Sequence, residues 1–189
     1  LLDTGAALRV GVFTGASPDE VRRVMALARL DFAQLHGGEE PGVCAAVGPE
    51  RVIKVLWPEA LAREKDAPPR RPRDERGGGR GGDGRREGLS AADILAALRL
   101  ECDRFAPVCA LFLLDAGQSG GGSGRSLPFA AFRNFSPPRP WLLAGGLGPS
   151  NLEEAAASCA PHAFDCNSGL EEAPGRKDPA LVGAAAQIL

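Results

Sequence analysis

The chain has 189 residues, 44% of them hydrophobic and 24% charged, with a formal net charge of −2. That length and balance fit one soluble globular domain with a single core. The near-neutral charge excludes a general pull toward nucleic acid or anionic lipid, and no apolar run approaches the roughly 18–20 residues of a membrane span. Five cysteines (Cys44, Cys102, Cys109, Cys159 and Cys166) show neither CxxC nor zinc-like spacing. They read as buried free thiols in a reducing compartment, and with no signal peptide evident a cytoplasmic location is expected.

In chain order, residues 9–13 (RVGVF) form a short β-branched strand. Ser17, Pro18 and Glu20 then supply an N-cap, a first helical residue and a capping-box glutamate. Val21, Val24, Met25, Ala28 and Leu30 give that helix its apolar face. Residues 31–36 (DFAQLH) read as a second strand closed by Gly37 and Gly38, residues 39–47 as a helix, and residues 51–56 (RVIKVL) as a third strand. Such alternation predicts parallel strands joined by right-handed helical crossovers.

The pattern breaks over residues 63–88, which carry nine Lys and Arg against six Asp and Glu and almost no apolar side chain. That segment cannot bury enough surface to offset its ordering entropy, so a disordered Arg/Gly-rich insertion is expected. The interspersed acids and absent aromatics argue against RNA binding. Ser90 caps the next helix, residues 91–100. LFLLDAGQSGGGSGR follows, an apolar strand running into Asp115 and a glycine-rich loop. An unbroken apolar run suits a strand buried on both faces, and a carboxylate at its carboxyl end stands where α/β folds place chemistry. Taken alone, Asp115 reads equally well as a turn residue.

Trp141–Ala144 (WLLA) is the next strand, Leu152–Ser158 a helix, residues 163–167 (AFDCN) the last strand, and Pro179–Ile188 the closing helix. Six strand–helix units at this spacing predict an α/β fold of the (β/α)8 TIM-barrel type. Gly145 and Gly146 directly follow one strand, and Ser168 and Gly169 the next. Glycines there let backbone N–H groups approach an anion, so the two loops read as a phosphate cradle.

RVGVF…SPDE, FAQLHGGE, VIKVL, LFLLDA…GGGSGRS, LLAGGLGPSN and DCNSGLEEAPGRKD occur in that order. In these motifs and their spacing the chain resembles the phosphoribosylanthranilate isomerases of tryptophan biosynthesis. The resemblance covers nearly everything except the Arg/Gly insertion. It implies a single partial TIM-barrel domain over residues 1–189 containing the last six β/α units. The implied activity is an aldose–ketose isomerisation: the Amadori rearrangement of N-(5′-phosphoribosyl)anthranilate to 1-(2-carboxyphenylamino)-1-deoxyribulose 5-phosphate. No metal or organic cofactor is implied, and the partner is a small phosphorylated substrate rather than nucleic acid or membrane. The oligomeric state stays open between monomer and homodimer.

The resemblance assigns Asp115 as general acid on the ribose ring oxygen, since ring opening needs a proton donor. Phosphate would rest on Gly145, Gly146, Ser168 and Gly169, beside a mobile active-site loop of Gly121, Gly122, Ser123 and Gly124. Gln34, His36 and Lys54 are candidates for lining the barrel, each also explicable as a structural polar residue. Glu171, Lys177 and Asp178 match the family's ending, where capping or surface pairing explains them as well as function does. The family's first strand carries its general base in a Lys-x-Cys-Gly motif, and a later Arg meets the anthranilate carboxylate. Neither motif is among these residues, so two preceding strand–helix units are expected. The alternative is a catalytically inactive phosphate-binding barrel fragment that needs those strands or a partner chain. An epimerase or indole-glycerol-phosphate synthase relative fits QLHG and DCNSGLE poorly.

Overall fold

The computed structural model of the chain describes residues 7–58, 60, 90–115 and 129–189. The expected insertion over residues 63–88 and the loop residues Gly121, Gly122, Ser123 and Gly124 lie outside the described residues. Six strands build one sheet: β1 (Val10–Phe13), β2 (Phe32–Leu35), β3 (Val52–Leu56), β4 (Leu111–Asp115), β5 (Trp141–Ala144) and β6 (Ala163–Phe164). They lie in sequence order, and every neighbouring pair is parallel. The helices are α1 (Pro18–Leu27), α2 (Pro41–Val47), α3 (Ala91–Phe105), α4 (Leu152–Ser158) and α5 (Pro179–Ile188).

Capping explains where the helices begin. Ser17 Oγ accepts from Glu20 N (3.3 Å) at the start of α1. At α3, Ser90 and Asp93 cap each other reciprocally, and at α5 Asp178 accepts from Ala180 N (2.8 Å). Each bond satisfies an N–H that a helix start otherwise leaves open.

Side chains alternate along each strand, and the two faces have different fates. The outer set, including Leu35, Val52, Leu56, Phe112, Leu114, Trp141 and Leu143, packs with residues of all five helices into the main core. Ile53, Val55, Leu113 and Ala144 form a second cluster on the inner face. A curled parallel sheet with helices on its outer face is a TIM-barrel-type arrangement.

Three expectations need correction. Lys54 does not line the inner face: it registers with Leu35 and Phe112, between Ile53 and Val55, and so points into the helix layer. The last strand ends at Phe164 rather than at 167: Asp165 N still donates to Leu143 O (2.8 Å), and Cys166 and Asn167 lie beyond that last bond to β5. An antiparallel hairpin of β7 (Glu171–Ala173) and β8 (Arg176–Lys177), turning through Gly175 at φ +76°, stands where no strand was expected. No helix among the described residues is long and apolar enough to cross a membrane.

Candidate active site

The strands' carboxyl ends border a cavity of about 510 Å³. Strand register brings its polar lining together. Val12 pairs with Gln34 at one level, and Asp115 with Ala144 at a higher one. His36, Asp165, Asn167 and Ser168 complete the polar wall. Gln34 and His36 therefore face the cavity, whereas Lys54 does not.

His36 is held from three sides. Its Nδ1 lies 3.2 Å from Gln34 Nε2, its ring meets Trp57 edge-on at 5.2 Å, and its Nε2 lies 3.4 Å from Asp115 Oδ2. The Gln34 amide thereby sets the ring's orientation, with Nε2 turned toward the Asp115 carboxyl. Asp115 itself is largely buried and ends the central strand.

Asp165 is a second carboxyl in the cavity that sequence reading passed over. Burial and then the nearby Asp115 push its pKa above the ordinary aspartate range, with His36 and Lys177 opposing. Two carboxyls of one sign sharing a cavity bias that cavity toward holding a proton.

Glu39 was also missed. It is buried behind the cavity rim, where Oε1 accepts from Gly15 N (3.1 Å) and Oε2 from Gly37 N (2.9 Å). Oε2 also lies 3.4 Å from Lys54 Nζ, an equally buried ammonium packed over the Phe105 ring. One carboxylate thereby ties together the loops after β1 and β2 and the strand β3. Burial pushes Glu39 upward, but these N–H donors and Lys54 together outweigh it and hold the carboxyl below its usual range.

The two glycine loops interlock. Gly145 and Gly146 adopt φ +108° and +70°, a turn open to glycine at little cost. Asn151 braces it, accepting from Gly148 N (2.9 Å) and donating to Gly146 O (3.2 Å). Gly145, Gly146 and Ser168 line the cavity, while Gly169 packs behind them. A Cβ on Gly169 would fall 2.2 Å from Leu147 O, and one on Gly148 2.4 Å from Gly169 O. Gly169→Ala is therefore expected to wedge the loops apart and cost about 1–3 kcal/mol, as overpacking does. A lowered urea midpoint checks this; an unchanged one contradicts the close approach.

All five cysteines are free. Burial pushes Cys102 and Cys109 up to about 12 and raises Cys44, Cys159 and Cys166 as well. Cys166 packs against the main core while its neighbours Asp165 and Asn167 face the cavity. Among the described residues no three His, Cys, Asp or Glu side chains group as a metal ion would require.

The family model for N-(5′-phosphoribosyl)anthranilate isomerase matches residues 1–83 and 91–187. An isomerase of that name from Maridesulfovibrio salexigens is 40% identical over 96% of this chain and 74% of its own. One from Desulfovibrio desulfuricans is 38% identical over 99% of this chain and 74% of its own. Among solved structures, the Thermus thermophilus enzyme aligns with a TM-score of 0.62 at 32% identity, over 96% of this chain and 72% of that one. The Pyrococcus furiosus enzyme, at 19% identity, shares the fold with a TM-score of 0.65. The chain belongs to the N-(5′-phosphoribosyl)anthranilate isomerase family.

Proposed function

We propose that this chain carries the acid and phosphate-binding half of a phosphoribosylanthranilate isomerase, the enzyme of the Amadori step in tryptophan biosynthesis. The observation that carries the reading is Asp115, held 3.4 Å from His36 Nε2 in a cavity closed by two interlocked glycine loops. Asp115 protonates the ribose ring oxygen as the furanose opens, and the resulting iminium loses the carbon-2′ proton to give the enolamine. His36 Nε2 stands 3.4 Å from Oδ2, and the carboxyl delivers the proton. Gly145, Gly146 and Ser168 meet the 5′-phosphate with backbone N–H and hydroxyl donors, and Gly169 backs them. The reaction is internal to the substrate, and these residues perform their part with protons and hydrogen bonds alone.

The six β/α units are the last six of an eight-unit barrel in this reading. Support comes from the chain's spanning only 72–74% of the length of the relatives named above and from the solvent-facing side chains of Val10 and Val12 (43% and 62% exposed) on the inner face of β1. The base belongs to the family's Lys-x-Cys-Gly motif, which is not among the 189 residues, and none of the five thiols here replaces it.

The test is turnover of N-(5′-phosphoribosyl)anthranilate by the 189-residue chain and by protein expressed with its upstream coding region. Turnover confined to the longer protein is expected. Substantial turnover by the 189 residues alone would refute the placement of the base. Turnover by neither would leave only a phosphate-binding barrel fragment.

A further inference from the structure

Lys177 ends the short β7–β8 hairpin, and its ammonium has three N–H donors. All three are engaged. One reaches Glu171 Oε1 across the hairpin (2.8 Å). The other two reach Asn167, one at the backbone carbonyl (2.8 Å) and one at the side-chain Oδ1. Asn167 lies ten residues earlier, lines the cavity, and directly precedes Ser168.

A residue that merely closed a hairpin would have no need of Asn167. Its first contact would be the cross-strand carboxylate, and that contact takes one donor of three. The remaining two grip both acceptors of one residue, which fixes its peptide plane and its side chain together. Asn167 is itself exposed, and the last bond to β5 is Asp165 N to Leu143 O (2.8 Å), so the sheet ladder does not reach residues 167–169. On its other side the same turn is confined by Gly169 pressing on Leu147 and Gly148. Residues 167–169 are thus held by a glycine contact, by Leu170 N donating to Asn167 O (3.1 Å) in the 3₁₀ turn Ser168–Leu170, and by one ammonium, which alone reaches the Asn167 side chain as well. The charge on Lys177 also bears on Asp165, at the root of the turn, where it opposes the rise in the carboxyl's proton affinity.

We infer that Lys177 is a positioning residue for the phosphate cradle: by gripping both acceptors of Asn167, it holds residues 167–169 in the geometry that presents Ser168 to a phosphate ester. The inference rests on the phosphate-binding reading above and adds a residue that does not itself touch the ligand, since its donors are already engaged.

The experiment is calorimetric titration of ribose 5-phosphate into the 189-residue chain and three variants, with thermal unfolding recorded for each. Lys177→Met is expected to weaken binding about tenfold or more, the share of a charge-assisted hydrogen bond. Lys177→Arg, which keeps the donors, is expected to recover most of that loss. Glu171→Ala removes the hairpin contact and leaves Asn167 gripped, so its affinity is expected to stay within about twofold of wild type. Two results would overturn the inference while the phosphate reading stands. One is wild-type affinity in Lys177→Met. The other is equal weakening in Lys177→Met and Glu171→Ala, which would make the hairpin, not Asn167, the working contact. Absence of ribose 5-phosphate binding by the wild-type chain would overturn both the inference and the reading beneath it.

Discussion

Replacing Asp115 with Asn is expected to lower kcat by about 10²–10⁴-fold while leaving substrate affinity nearly unchanged, the usual signature of a lost general acid. The amide fills the space of the carboxyl beside His36 Nε2, which lies 3.4 Å from Oδ2. It has no acidic proton to deliver to the ring oxygen. Steady-state kinetics on protein expressed with its upstream coding region give the two numbers separately. A fall in kcat below about fivefold would remove Asp115 from the role. A rise in KM with kcat preserved would make it a binding residue instead.

Lys54→Met is expected to cost about 3–5 kcal/mol of stability, because it leaves a buried carboxylate without its counter-charge. Lys54 and Glu39 are 2% and 8% exposed, so water screens little of the loss. Such a cost is a large share of a domain's total stability, typically about 5–15 kcal/mol. Adding Glu39→Gln to Lys54→Met should recover part of it, since the stranded charge is then gone. Urea midpoints of the single and double variants decide: a single-variant cost under about 1 kcal/mol would mean that the pair behaves like an exposed one.

The pH dependence has a definite sign. Glu39 titrates below its ordinary range in the folded chain, so the unfolded chain takes up its proton first as pH falls. The stability that Glu39 contributes is complete above the unfolded value and is lost as pH drops toward and through the folded one. The wild-type advantage over a Glu39→Gln variant should shrink across that acidic window and be flat at neutral pH.

Much of this architecture was legible because the strands of a parallel sheet under helices have a plain signature. RVGVF, VIKVL, LFLLD and WLLA are short apolar runs, and each became a strand within a residue of its expected bounds. The same property hid the direction of Lys54. Where both faces are apolar the two-residue alternation disappears, and only pairing with Leu35 and Phe112 shows which side a residue takes. The hairpin of Glu171–Ala173 and Arg176–Lys177 carried no strand signal, being short, polar and exposed. Asp115 stood out because it closes an apolar strand before a glycine loop. Glu39, Asp165 and Asn167 did not, since their importance lies mostly in partners that the folded chain brings near: the distant Gly15 amide and a lysine beside the local Gly37 amide, another carboxyl, an ammonium ten residues on. The glycine pair Gly37-Gly38 just before Glu39 was the single local hint, marking a turn tight enough to aim an amide at its carboxylate.

The uneven pairing along the sheet also grades its stiffness. β4 is paired through four residues on each side, whereas β6 holds to β5 through two. Amides of β4 should therefore open only with the whole domain, and those near Phe164 by local fraying. The proposed proton donor, Asp115, rides on the rigid centre, and the turn proposed to hold the phosphate hangs from the loose margin. A phosphate ester bound between them would bridge the two regimes, so that part of its binding free energy goes into quieting residues 163–169. Slow hydrogen exchange would then spread outward from the centre to that margin as ligand is added.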